Sequence, residues 1–465
     1  MAPVHLDMQE RLSIRESFQR RHNVKLSEKG LWVWILVILV GLLPTLGLAQ
    51  NKISSYDRDR AKDMLASIAA DIRKHYYDPK FHGLDWDARV REANGKIDRA
   101  ESMGMALSNI AAALDTLNDS HTFFVPPPRP FRNDYGWQAQ MIGDRCDVIL
   151  VHPQSDAEAK GMKPGDEVLT INGYAPDRAN LWKMEYVFKA LRPQPGLRLN
   201  LRDPAGGERQ IDAMAKVTEL KGVVDLAGSR ASNDIWEVVR QIENERQLRR
   251  GRTIEMGDKL LILKLPQFLF SESEINGMIG KARKHEALIL DLRGNPGGAV
   301  ETLQHLVEGV FDREVKIGDR IGRDAKKPLV AKAGRSPFTG KLLVLVDSNS
   351  ASAAELFARV VQIEKRGVVL GDRSSGSVME AKRYSYHVGY GTVVFFGASI
   401  TDADIVMTDG KSLEHTGVLP DEIILPTAAD LASGRDPVLA RAAGMLGVKL
   451  TAEDAGKMFP YEWPN

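Results

Sequence analysis

The sequence predicts an α/β protein, and three observations predict it. From Lys259 onward the apolar runs LLILKL, ALILDL, KLLVLV and GVVLG alternate with stretches of helical character near 272–284, after Gly298 and after Ser352. Strands that are apolar at successive positions are covered on both faces, as in a parallel sheet flanked by helices. Residues 50–118 read as helices, and from about Gly136 the texture turns to short strands broken by Gly and Pro. A chain of 465 residues exceeds one typical core, so two or three folded units are expected.

The elements follow in order. Residues 30–49 carry no charge and, at about 1.5 Å per residue, just span a bilayer's hydrocarbon core. Arg11, Arg15, Arg20, Arg21, Lys25 and Lys29 precede them, which places the N-terminus inside and the rest outside. Small residues near Leu48-Ala49-Gln50 also suit signal-peptidase cleavage, so the segment is either an anchor or a cleaved signal. Both readings put the working part outside the cytoplasm. In the helical arm, Leu107, Ile110, Leu114 and Leu117 share one helix face. That helix ends at Asn118-Asp119-Ser120-His121, and Pro126-Pro127-Pro128 excludes further helix. Strands are expected at 148–151, 168–171, 197–201 and near Ile211, with a short helix near 157–160. Residues 234–251 read as a charged helical connector.

Composition excludes several functions. The net charge is +1, with acidic and basic residues interspersed, and no basic stripe or motif suggests nucleic-acid binding. The single cysteine, Cys146, permits no intramolecular disulfide and reads as a buried small hydrophobe. No His-Glu-x-x-His or paired His/Cys spacing offers a metal site, no cofactor is implied, and no G-x-S-x-G elbow is present.

The stretch GMKPGDEVLTINGY, Gly161 to Tyr174, resembles a PDZ domain; Gly161 and Gly165 fit its tight turns. Such domains bind extended C-terminal peptides by strand addition; a rigid spacer is the plainer alternative. Two further turns carry chemistry. DLRGNPGG follows a buried strand, and its glycines let backbone N–H groups face a negative oxygen. DSNSASAAE brings Ser352 to the start of a helix, where free N–H groups stabilise negative charge. Taken singly, each is an ordinary turn or helix cap.

In this order, with GVVLGDRSSG and GKSLEHTGVLPDE after them, these motifs resemble the C-terminal processing (tail-specific) protease family, over roughly residues 60–430. The resemblance implies a crotonase- or ClpP-like α/β core, an N-terminal helical arm and an inserted PDZ-like β-domain. It divides the chain into a basic segment 1–29, the apolar segment 30–49, the arm 50–135, the PDZ-like domain 136–218, the peptidase core 219–440 and a C-terminal tail 441–465. It implies Ser352 as nucleophile, and Ala353 with Gly297 or Gly298 as oxyanion hole; Ser350 is the rival nucleophile. Ser–Lys members place a lysine about 25 residues past the serine, where this chain has Ser377, and Lys382 sits five residues late. Asp119-Ser120-His121-Thr122 instead resembles the tricorn-core branch, with its Ser–His–Ser–Glu tetrad. That branch implies His121 as base, supported by Ser120 and Glu414, with His415 as a rival. Histidine, with an ordinary pKa near 6.5, needs far less adjustment than lysine to act as a base. The expected function is an exported serine endopeptidase acting on proteins or peptides; the alternative is a non-catalytic ligand or peptide binder on the same scaffold.

Overall fold

The computed structural model describes residues 53–219, 250–389 and 393–461. The apolar segment 30–49 and nearly all of the charged connector lie outside the described residues. Among the described residues no helix is long and apolar enough to cross a membrane.

Three helices build the arm: α1 (Ser55–His75), α2 (Trp86–Asp98) and α3 (Met103–Asp115). Each opens on a side-chain cap. Ser54 accepts from Asp57 N–H, Asp85 from Ala88 N–H and Ser102 from Met105 N–H. The predicted apolar face of α3 is buried, and it packs against Phe124, Phe396, Ala398 and Ile400. Asn118, at φ +54°, turns the chain away after Leu117. The chain then enters β1 (Phe123–Val125), antiparallel to residues 397–399 of the core. After the prolines, β2 (Phe131–Asp134) pairs with residues 216–219.

The β-rich module is a five-stranded antiparallel sheet in the order β3 (Trp137–Ile142), β4 (Arg145–Val151), β5 (Glu167–Ile171), β6 (Gly196–Arg202) and β7 (Glu208–Met214). Helix α4 (Asp156–Ala159) follows β4, and α5 (Leu181–Tyr186), continued by a wider turn over Val187–Leu191, follows β5. Gly165 needs its glycine: at φ +90°, a Cβ there would lie 2.3 Å from the Ala428 carbonyl. β8 (Lys216–Glu219) leads out of the module.

The core opens with β9 (Arg252–Met256), β10 (Leu260–Lys264), α6 (Glu272–Ala282), β11 (Ala287–Asp291) and α7 (Val300–Glu308). Then come β12 (Val315–Gly322), β13 (Lys326–Ala331), β14 (Lys341–Val346), α8 (Ala353–Ile363), β15 (Val368–Gly371), β16 (Glu380–Val388), β17 (Val394–Met407) and β18 (Glu422–Ile423). One sheet runs β18-β15-β14-β11-β10-β9, parallel except for β9. Alternate residues of its strands bury on opposite faces: Leu261, Leu263, Leu288, Leu290 and Val344 against α6, α7 and α8, and Leu260, Ile262, Ile289, Leu343 and Leu345 on the other side. Both faces are covered, which is why these strands read as unbroken apolar runs.

The second face corrects one expectation. Residues 441–465 read as a C-terminal tail after the core. Instead α10 (Pro437–Met445) and α11 (Ala452–Lys457), after the short α9 (Ala428–Ala432), bury Val438, Leu439, Ala442, Ala443 and Ala455 on the sheet. The described C-terminal residues therefore complete the core. A second sheet, β1-β17-β12-β13 with β16 also on β17, was not foreseen. It carries the arm on one side through Phe396, Ala398 and Ile400.

Candidate active site

Strands β11 and β14 are parallel neighbours, so the turns that leave their C-terminal ends meet. Asn295, fully buried in the first turn, holds the two together. Its Nδ2 donates to the Leu265 carbonyl (2.7 Å), its Oδ1 accepts from Gly297 N–H (2.8 Å), and its carbonyl accepts from Ala351 N–H (2.9 Å). Gly297 then lies against Ser352. At φ +89°, a Cβ at position 297 would come within 2.5 Å of the Ser352 Cβ. Gly298 is equally constrained, since a Cβ there would lie 2.2 Å from the Phe268 carbonyl oxygen.

Ser352 is not an ordinary helix cap. Ser54, Ser102, Ser155 and Ser271 cap helices in extended backbone, with φ between −144° and −69°, and each hydroxyl accepts an N–H from the first turn. Ser352 sits at φ +55°, ψ −121°, and the corresponding amide, Glu355 N–H, bonds the Ser352 carbonyl (2.9 Å). Such a backbone costs about 1–3 kcal/mol and persists only where its surroundings dictate it. Here the clamp is explicit: Ser352 N–H donates to the Ser377 carbonyl (2.7 Å) and to Glu355 Oε2 (3.0 Å). The rival Ser350 is fully buried, and its hydroxyl donates to the Leu292 carbonyl (2.9 Å) while accepting Asp347 N–H (2.9 Å). It is a structural serine.

Glu355 was missed by sequence reasoning. It is fully buried and accepts four bonds: Ser374 Oγ–H (2.6 Å) and Gly376 N–H (2.7 Å) on Oε1, Ser377 N–H (2.9 Å) and Ser352 N–H on Oε2. Burial pushes its pKa up to about 7 against these bonds, which lower it. A signal was available, because a glutamate three residues after a helix-opening serine is the spacing of a capping box.

The second half of the site lies in the turn after α3. Glu414 accepts Ser120 N–H (2.7 Å), Ser120 Oγ–H (3.0 Å) and Val378 N–H (3.0 Å). Ser120 Oγ lies 2.7 Å from His121 Nδ1. The serine has one proton and gives it to the carboxylate, so His121 Nδ1–H is the donor to Ser120 Oγ and the Nε2 lone pair is left for a base. Burial lowers the pKa of His121, and Asp119 opposes this by raising it. Burial raises that of Glu414, against its hydrogen bonds.

The described hydrogen bonds do not join His121 to Ser352. The two halves meet through successive residues of one loop: the Ser377 carbonyl holds Ser352, and Val378 N–H holds Glu414. The other candidates are engaged by other groups. Lys382 Nζ is ion-paired to Asp402 (2.9 Å), its side chain is 65% exposed, and the pair raises its pKa, the wrong direction for a base. His415 Nε2–H donates to the Asn118 carbonyl (2.9 Å). Gly297 N–H is already taken by Asn295, so of the two expected glycine donors only Gly298 N–H is left to face an oxyanion. Cys146 is buried in the module, and burial pushes its thiol up to about 12, as an inert small residue requires. The described residues contain no cluster suited to a metal.

A cleft of about 550 Å³ runs from Ser120, Ser348 and Ser377 to Gln138 and Met141 of β3 and Trp182 of α5. The module thus opens onto the loops that carry Ser120 and Ser377.

Residues 259–424 match the model of peptidase family S41. This is a serine peptidase family, and the matched segment holds Ser352, Glu355 and Glu414 but not His121. Among curated relatives, the chain is 24% identical over 375 residues to "Carboxyl-terminal-processing peptidase 3, chloroplastic" of Arabidopsis thaliana, covering 75% of this chain and 66% of that one. It is 25% identical over 393 residues to "Putative tricorn protease homolog 2" of Streptomyces coelicolor (strain ATCC BAA-471 / A3(2) / M145), covering 79% of this chain and 30% of that one. The chain therefore spans less than two thirds of either relative. Among solved structures, mature CPAF superposes with a TM-score of 0.61 at 17% identity, over 81% of this chain and 95% of its own. That likeness is one of fold.

Proposed function

We propose that the protein is an exported serine endopeptidase that hydrolyses peptide bonds through an acyl-enzyme on Ser352. His121 Nε2 removes the Ser352 proton as Oγ attacks the scissile carbonyl, and later returns it to the leaving amine. Ser120 passes the charge of Glu414 to the imidazolium and fixes its tautomer, the role of the third group in a catalytic triad. Ala353 N–H, at the first turn of α8, and Gly298 N–H receive the oxyanion. Losing one such donor typically costs about 3–4 kcal/mol of barrier. The His121–Ser352 contact closes when substrate orders the cleft, as catalytic hydrogen bonds that are long in free enzymes commonly do.

One observation carries this reading: Ser352 is held in strained backbone by the same loop whose next amide holds Glu414, the anchor of Ser120 and His121. A helix cap would need neither the strain nor the relay. The S41 match supports protein or peptide substrates. The PDZ-like reading of the module, with peptide C-termini entering the groove between β3 and α5, is supported by a cleft continuous with Ser120 and Ser377. The charged flank and apolar segment at 30–49 support an extracytoplasmic site of action.

A serine-directed fluorophosphonate probe tests the assignment. Labelling is expected for the wild type and for Lys382→Ala, to be abolished in Ser352→Ala, and to be reduced by orders of magnitude in His121→Ala. Labelling that survives Ser352→Ala rejects the nucleophile, and wild-type labelling in His121→Ala rejects the base.

A further inference from the structure

Asp119 stands immediately before Ser120 and His121, and it is not one of the four residues assigned to the reaction. It is 8% exposed. Its Oδ1 collects three donors: His121 N–H (2.9 Å), Thr122 N–H (2.6 Å) and Thr401 Oγ1–H (2.6 Å). The threonines extend the chain. Thr401 N–H donates to Thr122 Oγ1 (3.1 Å), whose hydroxyl donates to Thr401 Oγ1 (3.0 Å), whose hydroxyl in turn donates to Asp119. Every bond points toward the carboxylate and stitches the turn carrying His121 to the middle of β17.

The other oxygen has no such account. Asp119 Oδ2 is buried and makes no hydrogen bond of ordinary geometry among the described residues; the Tyr76 hydroxyl, a neutral group, approaches the carboxylate, and no described cation lies within ion-pair distance of it. An asparagine would offer the same Oδ1 to the same three donors. The hydrogen bonds therefore explain an acceptor at this position but not a carboxylate. Burying a carboxylate with no cation paired to it is costly unless a nearby group that becomes positive profits from it. The group beside it that becomes positive in the proposed reaction is the His121 imidazole.

We infer that Asp119 is a positioning residue for His121: it fixes the backbone of the base through Oδ1 and supplies, through a charge that no cation pairs, a second field that stabilises the imidazolium alongside Glu414. This rests on the assignment of His121 as base. The surroundings are consistent with it. Tyr76, Tyr77 and Asp78 face the turn from the end of α1, Asp404 from β17, and Glu414 and His415 from the opposing loop. The two tyrosines are pushed upward chiefly by burial, with Asp119 adding to it in both, so they do not neutralise the carboxylate; behind them His82 is engaged by both hydroxyls (3.3 and 3.0 Å) and by Asp78. Across the neighbouring cavity Arg178 and Lys183 are engaged by Asp372 and Asp115, and Arg373 is exposed on the far wall. His121 is thus the partner within the turn.

The test is an NMR titration of the His121 ring in full-length protein carrying ¹³C-labelled histidine, with the resonance assigned by its loss in His121→Ala. Asp119→Asn keeps the acceptor and removes the charge. Its His121 titration is expected to move to lower pH, with a thermal midpoint close to wild type. Against a peptide substrate, the acid limb of kcat/KM moves the same way and the plateau falls at least roughly tenfold, as loss of a nearby unit charge implies. Thr401→Val, which removes one donor from the carboxylate and leaves its field less screened, is expected to move the titration to higher pH. It carries the test if Asp119→Asn does not fold. An unmoved titration in the folded variants overturns the proposal and leaves Asp119 a turn-former. Full activity in His121→Ala instead overturns the assignment of the base, which the ring titration does not depend on.

Discussion

Glu355 accepts four hydrogen bonds with no cation among its partners, and all four come from the two segments that define the Ser352 turn. Each carboxylate oxygen takes two donors, so an amide cannot replace it: one end of a glutamine would present N–H to N–H. Glu355→Gln is expected to lower stability by about 2–4 kcal/mol in urea unfolding, the cost of leaving one or two buried donors unmatched. It should also weaken probe labelling at Ser352, because the clamp that sets φ +55° is released. The pH dependence follows from the same burial. Burial pushes Glu355 up to about 7 in the native state, against about 4.3 for a free glutamate. The native state therefore holds the proton more tightly, and the stability this gives is complete below about pH 4 and lost as pH rises through 7. At this scale the motifs made Ser352, His121, Ser120 and Glu414 legible as candidates. The strain at Ser352 was not legible, because the tolerance of a serine for positive φ depends on its neighbours. Nor was Asp119, whose signal in the sequence is that of any turn-forming aspartate.

Among the elements, β4 carries a second buried acid. Asp147 is fully buried, Oδ1 lacks a partner among the described residues, and Oδ2 meets only Arg145 at 3.2 Å. Burial pushes it up to about 6 against the pull of Arg145. The sign matches that of Glu355: stability from this group is present below its unfolded value near 3.9 and lost as pH rises through 6. Asp147→Asn removes the ionisation, so its urea midpoint is expected to fall less between pH 5 and pH 8 than that of wild type, ending higher at pH 8. An equal fall in both proteins would refute this. The elements also explain what the sequence could reveal. β10, β11 and β14 are apolar at successive positions because helices cover both faces, and no other environment suits such runs. β16 reads EAKRYSYHV, polar at most positions and nowhere fully buried, and its partner β17 changes from buried on both faces to alternating along its length. Alternation in β16 is confined to Tyr384–Val388, and β17 has no single period, so the second sheet was hard to read. The α10 and α11 helices were missed for a related reason: they are short, and their apolar residues gain meaning only against the sheet they cover.

At the scale of the molecule, the module and the core are tied at the site itself. Arg178 donates to the Gly143 carbonyl (2.8 Å) within the module, and to the Arg373 carbonyl (3.0 Å) and Asp372 Oδ2 (2.6 Å) in the core loop that continues to Ser377. Gly143 N–H meets the same aspartate (2.9 Å), and Gln140 reaches Asp347 (2.8 Å). Arg178→Ala is expected to leave the core folded but loosen the module. Faster amide exchange in β3 and in residues 372–378 would report this, together with a several-fold loss of labelling at Ser352. Unchanged exchange in both segments would show that the guanidinium is not what couples them.

The relay itself joins Ser120 to Glu414 across 294 residues, with β1 threaded into a sheet whose main strand comes after the nucleophile. A ribosome releases the arm first and Glu414 only 294 residues after Ser120, so nascent chain lacks the proposed centre through all of that interval. The order of residues along the polypeptide thus acts as a timer, withholding the proposed centre until the strands and loop that follow Ser352 have emerged and folded back onto the arm.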